Sequence, residues 1–265
     1  MSSGNSSSVL RNGEAGMTSR CVWITGASSG IGLALAERMM RDGWIVAGSA
    51  RSAGALADLA AKHEGRFFAY PLDVTDADAA AVTVARIREE RGGLDMAVFA
   101  AGTHKPVEVE DFRIETFRDL IDINLMGVVN CLAAVTPGFI EGRRGHVAVV
   151  SSVAGYGGLP TASAYGATKA ALINMTEALK PDFDRNGVKL QLVCPGFVRT
   201  PLTDQNPFPM PFLMEPEDAA EAFYRGLQSD RFEITFPRIF AVILRCLNAL
   251  PYSLYFRLVK RGTGK

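Results

Sequence analysis

The stretch running from Cys21-Val-Trp-Ile24 through Thr25-Gly-Ala-Ser-Ser-Gly-Ile-Gly32 to Gly43 limits the folds open to this chain more than any other. Four apolar residues in a row read as a buried strand, and LALAERMMRDG carries the periodicity of a helix. Between them stand Gly26, Gly30 and Gly32, spaced G-x-x-x-G-x-G. Glycines let a backbone approach a ligand closely, and a helix amino terminus offers unpaired N–H groups. Strand, turn and helix together therefore form a cradle for a pyrophosphate. Gly26, Ser28, Ser29, Gly30 and Ile31 are read as its binding residues. A chain that opens on this unit is expected to continue as alternating strands and helices around a parallel sheet.

The same turn has a competing reading, because Gly26-Ala-Ser28-Ser-Gly30 matches the G-x-S-x-G elbow of serine hydrolases. Ser28 would then be the nucleophile, and His146 could serve as its base. An elbow has no need of Gly32 and does not normally follow the first strand. It also leaves a second feature of the chain, Tyr165 and Lys169, without a role.

Those two residues stand four apart in the Ala-rich run AYGATKAAL, one above the other on a helix face. A phenol with a pKa near 10 is a poor base at neutral pH. A nearby cation favours the phenolate, and bringing it to near 7 takes about 4 kcal/mol at about 1.36 kcal/mol per unit. Ser152 follows the apolar run His146 to Val150, where a hydroxyl at a strand end could hydrogen-bond a carbonyl oxygen beside Tyr165. Taken alone, Tyr165 and Lys169 could equally be structural residues of an amphipathic helix.

Further strands are read at Trp44–Ser49, Arg66–Tyr70 and Leu94–Phe99, with a helix over Ala53–Lys62. Where a dinucleotide fold meets the adenosine ribose, an acidic residue would bind a 2′-hydroxyl. Here the chain reads Ala50-Arg51-Ser52, and Arg51 suits a 2′-phosphate. NADP(H) is thus the expected cofactor and NAD(H) the second choice; a surface arginine that closes the loop is the simpler explanation. Asp73 of the Asp73-Val74 pair either accepts from the adenine amine or caps the helix starting near Asp76. Ala101 and Gly102 are small enough for a cofactor to lie against their backbone. Asn124, in the middle of a helical pattern from Ile114 to Ile140, predicts a local distortion or a buried polar network.

With these pieces in order, the chain resembles the short-chain dehydrogenase/reductase family from about Arg20 to Asp230. The resemblance rests on TGASSGIG at 25–32, Asp73-Val74, Gly102, Asn124, Ser152, Tyr165, Lys169 and Cys194-Pro-Gly-Phe-Val-Arg-Thr200. It implies a doubly wound Rossmann-type α/β fold, sheet order 3-2-1-4-5-6-7, with helices on both faces. Tyr165 would be the general acid/base and Ser152 would orient the carbonyl. Lys169 would lower the tyrosine pKa and bind the nicotinamide ribose, while Asn124 would hold a water of a proton relay. Val198 and Thr200 would contact the carboxamide, with Pro195 and Gly196 in the same cofactor-binding segment. A homodimer or homotetramer is implied as well. The family's usual Asn-Asn-Ala-Gly is Phe99-Ala-Ala-Gly102 here, which removes the amides that brace that turn.

The expected activity is hydride transfer between NADP(H) and a hydrophobic ketone, aldehyde or secondary alcohol. PLTDQNPFPMPFLME, at 201–215, is dense enough in Pro, Phe, Met and Leu to form an apolar lid or to pack on the protein's own core. The alternatives are a reductase of lipid, acyl or steroid carbonyls at a membrane surface and, from another class, an NADP-binding sensor or scaffold without turnover.

Composition sets the remaining bounds. A chain of 265 residues, 48% hydrophobic, can bury one large core. Equal numbers of basic and acidic residues, 28 each, give no electrostatic reason to expect nucleic acid. The scattered cysteines lack metal or disulfide spacing and fit a cytoplasmic location, and no metal is expected. Residues 1–18 read as a disordered tail, 19–237 as the catalytic domain and 238–265 as its helical extension. No run reaches the ~18 apolar residues of a membrane span. RIFAVILRCLNAL is apolar almost all round and is expected to be buried, whereas YSLYFRLVKRGTGK has the pattern of an interfacial amphipathic helix. Packing on the substrate pocket or on a partner subunit is one destination for this extension; peripheral membrane contact through 238–262 is the other.

Overall fold

A computed structural model describes residues 20–204 and 210–264. The expected tail at 1–18 and residues 205–209 of the expected lid lie outside them. Among the described residues the apolar runs become seven parallel strands: β1 (Cys21–Thr25), β2 (Ile45–Ser49), β3 (Phe67–Ala69), β4 (Met96–Phe99), β5 (His146–Val150), β6 (Lys189–Pro195) and β7 (Glu233–Phe236). Their order is 3-2-1-4-5-6-7, as expected. Most of these strands read as unbroken apolar runs because helices cover both sheet faces, leaving neither side of the strand for polar residues.

Successive side chains of β1 leave the sheet on opposite sides. Val22 and Ile24 join a core with Leu35, Ala36 and Met39 of α1 (Gly30–Arg41), Leu56 of α2 (Ala53–Lys62) and Phe223 of α7 (Pro216–Leu227). Cys21 and Trp23 join the opposite core with Val84 and Ile87 of α3 (Ala77–Arg91), Val128 and Val135 of α5 (Gly127–Glu141), and Leu172 of α6 (Ser163–Arg185). Ser52 caps α2 through the Ala55 N–H, and Asp76 caps α3 through the Ala79 N–H at 2.9 Å. Ser29, at the amino end of α1, makes no side-chain cap, so it does not claim that helix's first donors.

The expected distortion at Asn124 is a π-helical turn, Asp122–Met126, between α4 (Ile114–Ile121) and α5. The run Ile114–Glu141 is long and apolar enough by length and composition to cross a membrane, although no unbroken stretch of it reaches ~18 apolar residues. Here its buried side, including Val128, Cys131 and Val135, packs against the sheet.

The carboxyl-terminal extension forms α8 (Arg238–Asn248) and α9 (Tyr252–Thr263). Phe240 and Ala241 of α8 pack on Val153, Leu192 and Cys194, but Ile239, Val242 and Ile243 are exposed. The expectation that α8 is buried all round is therefore corrected. One sheet edge offers it only one face to cover, so the opposite stripe meets solvent in the single chain.

His146 begins β5 at the amino-terminal edge of the sheet, where it pairs in register with Met96, itself paired with Val22. Ser28 lies beyond the opposite end of β1, so the two cannot form a nucleophile–base pair. The His146 ring instead hydrogen-bonds Gln191 at 2.7 Å, and burial pushes its pKa down to about 4. The unfolded chain binds this proton below about pH 6.5 and the native chain does not, so stability falls with pH through that window. Urea unfolding should show wild type losing about 2 kcal/mol between pH 7 and pH 5 that His146→Gln does not lose.

Candidate active site

In a parallel sheet all strands end at one edge, and the expected cofactor-binding and catalytic residues of the dehydrogenase reading lie along it, on a strand end, the loop beyond, or a helix packed there. The centre of that edge is the turn after β1. Gly26 has φ +72°, and a Cβ there would stand 2.9 Å from the Ala101 backbone. Gly30 has φ +56° and lies against Thr200, while a Cβ on Gly32 would strike the Gly26 carbonyl at 2.3 Å. Each glycine thus permits a different close approach: turn to neighbouring turn, turn to far loop, and helix to turn. Neither Ser28 nor Ser29 spends its hydroxyl on a hydrogen bond to another described residue.

Around this turn the other expected binding residues fall into two groups. Arg51, Ser52, Asp73 and Val74 follow β2 and β3 on one side. Arg51 is exposed and has no hydrogen bond or ion pair among the described residues. Asp73 accepts from the Thr75 N–H and hydroxyl at 3.0 and 2.8 Å, and these bonds, with the nearby Arg51 charge, hold its carboxyl below the usual range. Asp76 provides the cap of α3, so the capping role considered for Asp73 does not apply. Ser52 is spent on its own helix cap. Val74 packs on Gly127, and its carbonyl accepts from Asn130.

The second group surrounds a cleft lined by Ile31, Gly102, Ser152, Tyr165, Lys169, Pro195, Gly196, Val198 and Thr200. Tyr165 and Lys169 project from the first turns of α6, with the Lys169 ammonium 5.6 Å from the phenol ring centre. Lys169 is 4% exposed, donates to the Val150 carbonyl at 3.0 Å, and is pushed down to about 8 by burial. Asn124 is wholly buried: its amide oxygen accepts from the Thr103 N–H at 2.7 Å, and its amide nitrogen donates to the Thr103 carbonyl at 2.9 Å. Gly102 lets Asn124 and Lys169 meet at the same backbone, since a Cβ there would be 3.3 Å from the former's oxygen and 3.6 Å from the latter's nitrogen.

Burial raises the Tyr165 pKa, and the hydrogen bond from Ser152 works in the opposite direction without cancelling it.

Several participating residues escape sequence reasoning. The Thr25 hydroxyl accepts from the Ala101 N–H at 3.2 Å, bracing the turn from which the two asparagine amides are missing. Leu202 and Thr203 complete the cleft, and Thr203 locks its loop by donating to the Val198 carbonyl at 2.7 Å. His104 packs edge-on against Tyr165, with ring centres 4.9 Å apart and a buried Nδ1 that has no hydrogen-bond partner among the described residues. Beyond Ser152, Tyr156 donates to Glu233, which also accepts from Arg245 of α8. Thr25 belongs to the TGASSGIG run and Leu202 and Thr203 to the expected lid, whereas His104, Tyr156 and Glu233 had no motif to mark them.

A parallel sheet with a glycine cradle at its centre and a Ser–Tyr–Lys cluster in the adjoining cleft defines a dinucleotide-fold oxidoreductase. Residues 20–208 match the short chain dehydrogenase family, and the chain belongs to that family. An oxidoreductase from Myxococcus xanthus is 38% identical over 93% of this chain and 99% of its own length. Another, from Staphylococcus haemolyticus, is 30% identical over 80% of this chain and 92% of its own. Among solved structures, a short-chain dehydrogenase from Streptomyces avermitilis is 29% identical and superposes with a TM-score of 0.78 over 87% of this chain and 92% of its own. A short-chain dehydrogenase from Sphingobium yanoikuyae in complex with NADPH is 28% identical, with a TM-score of 0.75 over 82% of this chain and 88% of its own.

The cradle geometry can be tested without a ligand. Gly26 and Gly43 both have left-handed backbones, but a Cβ on Gly43 would meet open space. Gly43→Ala should cost about 1 kcal/mol, and Gly26→Ala should cost at least about 1 kcal/mol more in urea unfolding, from the added clash.

Proposed function

We propose that this oxidoreductase transfers hydride between NADP(H) and a hydrophobic ketone, aldehyde or secondary alcohol, with Tyr165 as general acid/base. The observation that carries the reading is the convergence of Ser152, Tyr165 and Lys169 on one cleft that the glycine cradle also borders. A nicotinamide dinucleotide supplies or accepts the hydride when bound. The chain's own groups handle the proton and the orientation.

In the reductive direction Tyr165 Oη gives its proton to the carbonyl oxygen as negative charge builds there, and Ser152 Oγ hydrogen-bonds the same oxygen. The protonated phenol is the form that donation requires. Donation of that proton leaves a phenolate at Tyr165. Lys169 holds a cation beside that phenolate, and the Val150 carbonyl fixes its direction. Asn124, clamped to Thr103 at both ends of its amide, holds the π turn against this cluster. Burying Lys169 opposes its charge, a cost that has a purpose in catalysis and none in a scaffold. This supports an enzyme over a sensor.

Arg51 supports NADP(H) over NAD(H), because its exposed guanidinium is uncommitted beside the loop where a 2′-phosphate would lie. The NADPH complex of the Sphingobium relative is consistent with that choice. Support for a hydrophobic substrate comes from Ile31, Val150, Val198 and Leu202, which line the cleft.

Tyr165→Phe should lower turnover of an apolar ketone by about 100-fold or more while NADPH still binds, as read by nucleotide fluorescence. Normal turnover in that variant would refute the assigned role. Arg51→Glu should raise the KM for NADPH about tenfold or more and leave the KM for NADH nearly unchanged. An equal change for both cofactors would remove Arg51 from phosphate recognition.

A further inference from the structure

The sequence from Ile234 to Lys265 contains Arg238, Arg245, Arg257, Lys260, Arg261 and Lys265 and no Asp or Glu, in a chain whose formal net charge is zero. Among the described residues Arg245 is neutralised by Glu233, whereas Arg238, Arg257, Lys260 and Arg261 form no ion pair. The cations therefore collect on α8 and α9 without local compensation.

Those helices also carry the exposed apolar side chains left over from packing. On α8, Ile239, Val242 and Ile243 recur at the spacing of one helix face, with Val242 58% exposed. On α9, Tyr252 and Phe256 are 78% and 62% exposed, and their rings stack with centres 5.7 Å apart. Tyr255 and Val259 anchor α9 inward, where the Tyr255 hydroxyl donates to the Gly158 carbonyl. Arg257, Lys260 and Arg261 occupy the arc of α9 away from those anchors. Large aromatic and aliphatic groups beside unpaired cations, with no acid among them, match an interface of acyl chains and anionic headgroups.

We infer that α8 and α9 form a docking surface for an anionic lipid bilayer. A second copy of the chain fits this face less well. A two-fold contact would set each cationic cluster against its own like-charged copy, whereas an anionic surface neutralises it. Docking here would also place the membrane close to the cleft. Phe240 on the inner side of α8 contacts Phe197 and Phe212 of the segment that follows β6, with ring centres 5.5 and 5.7 Å away. The exposed surface and the packing against the segment that follows β6 are thus two sides of the same helix. This inference concerns binding to a surface and stands apart from the reaction proposed above.

Flotation of the full-length protein with vesicles of phosphatidylcholine, alone or mixed with phosphatidylglycerol, tests the surface directly. NADPH binding serves as a check on the fold and sedimentation velocity as a check on assembly. The expected result is association with the mixed vesicles only, weakened by salt. Both Val242→Glu/Phe256→Glu and Arg257→Glu/Lys260→Glu/Arg261→Glu should reduce the bound fraction about tenfold or more with NADPH binding intact. Failure of folded wild type to bind the mixed vesicles overturns the inference, as does binding that survives both variants. A dimer that Val242→Glu/Phe256→Glu dissociates, without vesicle association, would overturn it in favour of a contact between copies.

Discussion

The close approach of two strand-end turns at the middle of the sheet underlies the rest of the site. β1 is flanked by β2 on one side and β4 on the other, so connections on its two sides leave in opposite directions and open a crevice between them. The Gly26 turn and the Ala101 turn meet there with no room for a Cβ. Thr25, at the end of β1, ties the two together through the Ala101 N–H. Because the sheet is parallel, the loops after β2, β3, β5 and β6 end at the same edge, and their side chains reach the crevice without any long excursion of the chain.

A second constraint is the concentration of buried polar groups at one corner of that crevice. Lys169, Asn124, Thr168 and Ser151 are all buried, yet each has a specific partner: the Val150 carbonyl, the Thr103 backbone, the Tyr165 carbonyl and the Lys169 carbonyl. Unpaired, such groups would be expensive to bury. Joined in this way, they lock the first turns of α6 to the end of β5 and to the π turn between α4 and α5. The buried position of Lys169 lowers its own pKa, and burial also raises that of Tyr165, which favours the protonated phenol. Its acid form is the one that reduction of a carbonyl requires.

The carboxyl-terminal helices add a local feature to this general plan. α8 packs Phe240 and Leu244 against Val153, Leu192 and Cys194 while leaving Val242 and Ile243 outside. Arg245 reaches back to Glu233 on β7, and Tyr156 beyond Ser152 donates to the same carboxylate, so an edge strand, the helix and the loop beside the site share one polar joint. The inner face is thereby specified by packing and hydrogen bonds, whereas the outer face is specified by what the surrounding medium provides.

Much of this was legible in the residues themselves. The order of strands and helices followed from apolar periodicity, the cradle from Gly26, Gly30 and Gly32, and the Tyr165–Lys169 pair from a spacing that any helix enforces. Asn124 announced a distortion because its amide competes with helix hydrogen bonds. These are local properties, set by a few neighbouring residues and the geometry of one element. Tertiary structure alone decided the rest. It separated His146 from Ser28 by the length of a strand, brought His104 against Tyr165, joined Thr25 to Ala101, and exposed half of a helix whose composition implied full burial. Each of these depends on which distant segments share a face, and hydrophobicity, being non-directional, drives burial without naming the partner.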